Sequence, residues 1–458
     1  MEKVEGLNAL VSIFPHNKRL RFVDAHHVQQ HFPFSEFAHN HNTSYPDLAA
    51  TFPGISEAEL PSRPTWSHYS MILEAKATPK DDPFQKNGLA HCKTLVQLAI
   101  NARCLMHAHG LLATFVIGIY GDILRIARFD HTCAVVSRRY RLKRASDLKL
   151  LRRFFWHFVN PSTQGPIVGW DPTVRPLSTE DETWLLQRLQ VTVPKVVAEQ
   201  VILSEARRVE ILDDDSVVGR EPPAYIVFRA LDVNGRLFSR ATTVWLGVRD
   251  TRRWSNGRIV DIPTREDLKP RVIKEAWRQL ARRPERDCYA RLRLIPPAER
   301  VGLPQLLFGG DLGERETQQW ERALYPPAAA PAWDDVSRHM SRLSLSTSNV
   351  APVGPIPFSL ATSSHSSTNP DHRPLQQTFS WRLTRGDRYW FRERSHMRFV
   401  TDTVGRRLTC FRCTKELVTA LLDAIKGNVY FLLSCLHPSL INSCRPSSSV
   451  DPGGSPPS

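Results

Sequence analysis

Apolar positions along the chain repeat with two periods, and the period indicates which element each segment forms. Over 89–109, Leu95, Leu98, Ala99, Ala102 and Met106 recur at the three-and-four spacing of a helix. Over 148–158, Leu148, Leu151, Phe154, Phe155 and Phe158 make one stripe behind Asp147, a residue suited to cap a helix. Short runs around these read as strands. One is 68–77, where Met71, Ile72 and Leu73 lead into Glu74-Ala75-Lys76; others are 113–119 and 122–129. After a loop over 165–176, the stretch 193–209 fits strand or helix equally. Tyr225, Val227 and Phe228 supply β-formers to a strand over 224–231. A hairpin over 237–248 and a strand over 269–276 carrying Lys274 follow. Pro284 suits the first turn of a helix whose apolar face continues through Tyr289 and Leu292. Strands over 396–400 and 407–411 join at Val404-Gly405. Thr414 then caps a helix over 415–426 with Leu417, Val418, Leu421, Leu422 and Ile425 on one face.

Other segments lack a period. Residues 1–60, rich in His, Phe and Pro, read as a partly ordered arm. Asp213-Asp214-Asp215 and Glu221-Pro222-Pro223 read as a surface excursion. The Ala/Pro/Ser-rich stretch 326–377 reads as a disordered insertion with at most a short helix over 334–343, and the tail as disordered from about 445. The fold class is therefore α+β. An N-terminal mixed α/β domain over 61–200 precedes a second domain over 201–427, and a tail over 428–458 follows.

Composition narrows the class of protein. The 458 residues suffice for two or three domains, and 41% hydrophobic content for real cores. The most apolar run, 111–126, is interrupted by Gly118, Gly121, Asp122 and Arg125, so no membrane span is expected. No signal-peptide pattern opens the chain, and an intracellular protein, cytoplasmic or nuclear, is expected. The net charge of +15 suits a nucleotide, another acidic partner or scattered solvated arginines; a nucleic-acid partner is not expected from it, and no protein partner can be named. The eight cysteines do not form a disulfide framework. Cys410 and Cys413 lack a second pair at zinc-ligand spacing, so no metal site is expected.

The chemistry centres on Lys274, at a strand end behind Val272 and Ile273, and on Glu285, at the start of the next helix. Strand lysine followed by helix glutamate is the pairing with which protein kinases hold ATP phosphates. A helix N-terminal glutamate favoured by the macrodipole is the other reading of Glu285. Several further motifs occur in order: Trp66, Glu74-Ala75-Lys76, Asp171-Pro172-Thr173, Ser239-Arg240-Ala241-Thr242-Thr243-Val244-Trp245, Lys274-Glu275-Ala276-Trp277, Arg283-Pro284-Glu285, Gly309-Gly310-Asp311-Leu312 and Lys415-Glu416-Leu417. In that order the chain resembles the fungal-type protein kinases over residues 66–427.

The resemblance implies a kinase small lobe, a five-stranded antiparallel sheet with one helix, followed by the first helix of a large lobe. It implies ATP and Mg²⁺ as cofactors and transfer of phosphate to protein Ser/Thr. Lys274 and Glu285 would serve the phosphates, with Ser239, Arg240, Ala241 and Thr242 as the covering loop. Ser239 and Ala241 stand where the family has glycines, which weakens close backbone approach to phosphate. No His-Arg-Asp occurs; His372-Arg373-Pro374 is the nearest string. Asp311-Leu312-Gly313 imitates the metal motif but precedes the hinge strands. From Asn428 the sequence departs from the family, and His437-Pro438-Ser439 supplies no aspartate. The expectation is a chain that left the family's reading frame near codons 427–430, with no catalytic residue, no metal ligand and at most weak nucleotide binding.

Two other readings stand beside this one. The small lobe and N-terminal domain serve contacts only, as a binding or scaffold protein. Alternatively, Glu74 and Lys76, followed by helix and strands, look like the core of restriction-endonuclease-like nucleases, where carboxylates hold Mg²⁺ and the lysine assists the attacking water. That core takes another acid from a preceding strand, and the available Asp47 lies in a Pro-flanked loop. The bland reading of Glu74 and Lys76 is a surface ion pair at a strand end.

Overall fold

Alternating apolar residues lay down two seven-stranded sheets and one isolated hairpin. The computed structural model describes residues 2–85, 89–192, 201–212, 222–255, 257–279, 282, 284–294, 296, 304–312, 378, 394–402, 413–415, 417–419, 421–422 and 425. The first sheet contains β1 (Phe22–Asp24), β2 (Leu48–Thr51), β3 (Tyr69–Lys76), β4 (Thr114–Tyr120), β5 (Ile123–Phe129) and β6 (Ala134–Val136), with β7 (Tyr140–Arg141) also paired to β5. Its pairs are antiparallel except β3 with β4, which run parallel and are joined by α2 (Leu89–His109). The apolar stripe of α3 (Ala145–Phe158) buries Leu151, Phe155 and Phe158 against this sheet. Asp147 does not cap that helix. It lies inside the first turn, where its carboxylate accepts from the Arg141 N–H at 2.9 Å and from Arg138 at 2.8 Å.

The reading of 1–60 as an arm is corrected. In α1 (Glu2–Val11), Leu7 and Val11 join Phe22 and Leu48 in the first core, and β1 and β2 form one edge of the sheet. Asn8 fixes the join: its amide donates to the Phe22 carbonyl and its carbonyl accepts from the Phe22 N–H, both at 2.9 Å. The segment shows no period because its elements are strands of three and four residues separated by short 3₁₀ turns.

The second sheet is assembled from β8 (Val174–Pro176), β9 (Arg207–Glu210), β10 (Ala224–Val233), β11 (Thr243–Asp250), β14 (Arg271–Gln279), β15 (Leu306–Asp311) and β16 (Arg394–Thr401). The hairpin β12 (Arg252–Ser255) and β13 (Arg258–Asp261) stands apart from it. The spatial order is β15-β16-β14-β11-β10-β9-β8, antiparallel throughout. The strand expected over 407–411 lies outside the described residues, and β16 pairs instead with β15 and β14. In β15 only glycine fits at Gly309: its φ is +114°, and a Cβ there would fall 2.1 Å from the Arg398 carbonyl oxygen. Unanticipated α4 (Thr179–Thr192) buries Leu185 and Leu189 under Ile226, Phe228, Leu246 and Val248. The short helix α5 (Glu285–Leu292) leans on the opposite end of the sheet through Tyr289 and Phe399.

The boundary expected at 200 does not divide the molecule. One core joins Val23, Phe34, Trp66, Ile72 and Leu105 to Val209, Tyr225, Val227, Trp245, Ile273 and Val400. The described residues belong to one compact unit. The insertion over 326–377, the acidic run 213–215 and the tail over 428–458 lie outside the described residues. Among those described, no helix is long and apolar enough to cross a membrane.

Candidate functional site

Strand alternation puts Lys274 and Glu275 on opposite faces of β14, each with its own partners. Pro284 precedes α5 with extended ψ, so the helix begins at Glu285 and turns that carboxylate back toward the strand. Lys274 Nζ donates to Glu285 Oε1 at 2.6 Å and Oε2 at 2.8 Å, with about a quarter of each side chain exposed. Glu285 is therefore more than a residue suited to a helix N-terminus; both of its oxygens are used by the strand lysine.

The expected phosphate-covering loop is built differently from a flexible flap. Its base is closed by the Asn234 N–H on the Thr242 carbonyl at 2.8 Å and by the Trp277 N–H on the Arg240 carbonyl at 2.7 Å. Ala241 has φ +42°, in the left-handed region that glycine enters without steric cost. The Ser239 hydroxyl accepts from the Ala241 N–H at 2.9 Å and donates to the Arg236 carbonyl at 2.6 Å. A backbone donor that an anion would use is thus already engaged. Leu237 is buried in the first core, and its carbonyl accepts from His131 Nδ1 at 2.9 Å. Burial drives the His131 pKa down to about 4 and keeps the ring neutral. His131 also touches Trp277, which shares the Glu275 face of β14. Residues 239–242 are therefore moored on the side of the sheet away from Lys274.

On that side the remaining motifs converge on Arg398, which is fully buried. Its guanidinium donates to Glu275 at 2.7 Å, Thr173 Oγ1 at 2.7 Å, the Glu210 carbonyl at 2.8 Å and Asp171 at 3.2 Å. Asp171 also accepts from the Thr173 N–H at 2.9 Å and hydroxyl at 2.6 Å, and Trp245 Nε1 donates to Glu275 at 3.0 Å. Burial alone would raise the Glu275 pKa; Arg398, with His396 and Arg207, holds it down to about 2. Asp171-Pro172-Thr173, Trp245 and Glu275 thus gather β9, β11, β14, β16 and the approach to β8 on one face of the second sheet. Sequence reading missed the Arg398 hub, whose only local signal is a charge in an otherwise alternating strand. A cavity of about 50 Å³ beside it is lined by His107, His131, Arg207, Glu275 and Trp277.

The family's Mg²⁺ does not fit the residues around Lys274. Asp311 lies within β15, where its buried carboxylate accepts from Arg278 Nε at 2.7 Å and from the Ser395 hydroxyl. Gly313 and Cys410 lie outside the described residues. Among those described, no group of three or more His, Cys, Asp or Glu residues is placed to hold a metal ion.

A second polar cluster sits at the end of β3. Glu74 is fully buried, not a surface residue, and Asn101 of α2 donates to its Oε1 while accepting from Ser44 at 2.7 Å. Asp47, directly before β2, accepts from the Ala75 N–H at 2.7 Å, which brings it into this site despite its Pro-flanked position. Lys76 Nζ stands 3.5 Å from both Asp47 and Glu74, and 3.4 Å from Gln97. Burial, with Asp47 adding to it, pushes the Glu74 pKa up to about 8.

The family model described as fungal protein kinase matches residues 54–437, a span that takes in the Lys274–Glu285 pair, the Arg398 hub and Glu74, Lys76 and Asn101 of the second cluster, but not its Asp47 and Ser44. No curated protein and no solved structure matches the chain. Most of the 458 residues lie within that match, and the chain belongs to the fungal protein kinase family.

Proposed function

We propose that β10, β11, β14, β15 and β16 with α5 act as a kinase-type small lobe that takes the phosphates of a nucleotide on Lys274, and that this chain by itself transfers no phosphate. The bidentate Lys274–Glu285 contact carries the reading, because it holds the ammonium in one place. ATP, when bound, supplies the transferable phosphoryl group; Lys274 neutralises charge on it and Glu285 orients Lys274. The chain has no His-Arg-Asp, and Asp311 is engaged by Arg278 and Ser395, so among the described residues neither a base nor a metal carboxylate stands near Lys274. With Ser239 occupying the Ala241 amide, little remains beyond one partly exposed charge contact, worth about 1 kcal/mol or less.

The expected ATP affinity is no tighter than roughly millimolar, about −4 kcal/mol. Calorimetry with ATP should show weak heat that Mg²⁺ does not enhance and that Lys274→Met removes. Micromolar binding strengthened by Mg²⁺, or autophosphorylation lost in Lys274→Met, would overturn the reading. A non-catalytic scaffold is the second reading. The mooring of the loop through Leu237 and His131 favours it, since that loop is held by packing instead of being left free for a ligand.

A further inference from the structure

The polar end of the first sheet plays no part in the nucleotide reading. β3 and β4 are its parallel pair, joined by the α2 crossover, and ligands of such units bind beyond the carboxyl ends of the strands. Glu74 and Lys76 of β3, Tyr120 of β4, Asp47 from the start of β2 and Asn101 of α2 meet there. The two carboxylates share a single ammonium, and 3.5 Å is well beyond the 2.7–2.9 Å of a tight charged hydrogen bond. Asp47 and Lys76 keep about 30% of their side chains exposed (31% and 28%), so the cluster opens to solvent.

An independent feature points to a missing oxygen ligand. Tyr120 is fully buried and its hydroxyl has no hydrogen-bond partner. It lies on the same sheet face as Glu74, in register with Lys76, and folds back over Gly118, the register partner of Glu74. A Cβ on Gly118 would fall 2.2 Å from that hydroxyl, so the glycine admits the phenol to the site. Burial first, then the Asp82 and Glu74 carboxylates, push the Tyr120 pKa up. An orphaned buried O–H is unfavourable and is relieved by an oxygen acceptor brought to it.

The surroundings supply the charge for a polyanion. Arg141 lies in β7 and Arg138, Arg139, Lys143 and Arg144 flank it; Arg138 is paired with Asp147 at 2.8 Å, and Arg139 stands 3.4 Å from Asp82. Clustered Arg and Lys are the footprint of a phosphate backbone.

We propose that Asp47 and Glu74 hold a divalent cation of the Mg²⁺ class, and that with Lys76 and Tyr120 they form a phosphodiester-hydrolysing site acting on nucleic acid. Mg²⁺ keeps several waters and binds through one or two carboxylates plus substrate phosphate oxygens, so two acids are sufficient. A cation-bound water gives one proton to solvent and attacks phosphorus. The new P–O bond forms as the bond to one sugar oxygen breaks, and that oxygen takes a proton from solvent. One water is consumed and nothing is oxidised or reduced. Lys76 neutralises the charge gathering on phosphorus, Tyr120 donates to a non-bridging oxygen, and Asn101 is a positioning residue for Glu74.

The test uses the full chain with plasmid DNA, single-stranded DNA and RNA, each with Mg²⁺ or Mn²⁺, beside calorimetric titration of Mn²⁺ alone. Mn²⁺ should bind the wild type, raise its melting temperature and fail to bind Asp47→Asn. Cleavage of at least one polymer should fall about 100-fold or more in Asp47→Asn and Lys76→Met. Tyr120→Phe should lose activity without losing melting temperature, since it removes an unsatisfied hydroxyl; a purely packing role would not separate the two. Absence of Mn²⁺ binding to the folded wild type overturns the site, as does cleavage that survives in Asp47→Asn. Mn²⁺ binding without cleavage of any of the three polymers overturns the hydrolytic assignment. Should Asp47→Asn fail to fold, the wild-type Mn²⁺ melt and Lys76→Met decide.

Discussion

Arg398 shows how much a single buried charge can govern. Its guanidinium compensates Asp171, which is fully buried, and Glu275, which is mostly buried, and also reaches Thr173 and the Glu210 carbonyl. Arg398→Met keeps most of the volume but leaves two carboxylates uncompensated in the interior, and removing one partner of a buried pair costs about 3–5 kcal/mol. Urea unfolding of the variant should show a loss of that size; an unchanged midpoint would mean that the hub contributes nothing. Residues of this kind explain which part of the chemistry was legible in the sequence. Lys274 and Glu285 were readable because a strand end and a helix start are local patterns and their pairing spans only eleven positions. The Asp171–Arg398 contact spans 227 positions; Asp171-Pro172-Thr173 was visible as a motif and Arg398 as a charge in a strand, but nothing local joins the two. Asp47 was legible as an acid but not as a neighbour of Lys76, because its Pro-flanked setting hides that the β2–β3 pairing carries it there.

At the scale of elements, the long amphipathic segments were the readable ones. The period of α2 and the stripe of α3 were plain, whereas β1, β2 and β8 are too short to show alternation. α4 escaped because its buried positions, Asp181, Leu185, Arg188 and Leu189, mix charged with apolar residues. The pairing of β15 with β16 has a consequence for the segment between them. Asp311 lies opposite Met397, so the two strand ends are already adjacent. Thr378 is fastened to the start of β16, its N–H donating to the Arg394 carbonyl at 3.1 Å and its hydroxyl accepting from the Arg394 N–H at 3.1 Å. Deleting 326–377 therefore removes chain between anchored points, and closure entropy changes by only about 0.6 kcal/mol for each halving of a loop. The melting temperature should stay within a few degrees of the full chain. A large drop would show that the segment contributes burial. A deletion that also removes Thr378 should be worse than one that stops before it.

The molecule as a whole carries an acid-sensitive interior. Burial depresses the pKa values of His107, His109, His131 and His396, with His109 and His131 near 4. The unfolded state takes up their protons below about 6.5 and the folded state does not, so stability falls as pH drops from 6.5 towards 4. Glu74, raised to about 8, acts in the opposite sense and loses its contribution as pH rises through that value, but it is one group against four. Below pH 4 the contribution of Glu275 is lost in turn as pH falls towards about 2. Denaturant midpoints should therefore be lower at pH 4.5 than at pH 7; a flat profile would place water around these histidines.

The core shared by the two sheets also limits how the chain can be divided. A fragment starting after residue 200 would bare the Tyr225, Val227 and Trp245 surface that Phe34, Trp66 and Leu105 now cover. It would also lose β8 from the sheet edge and Asp171 from Arg398. In terms of gene architecture, the segment ahead of the kinase-like strands is not a detachable neighbour but the other half of their fold. A frame shift, splice variant or recombination joint near residue 200 would separate two halves of one interior, leaving neither with a finished surface.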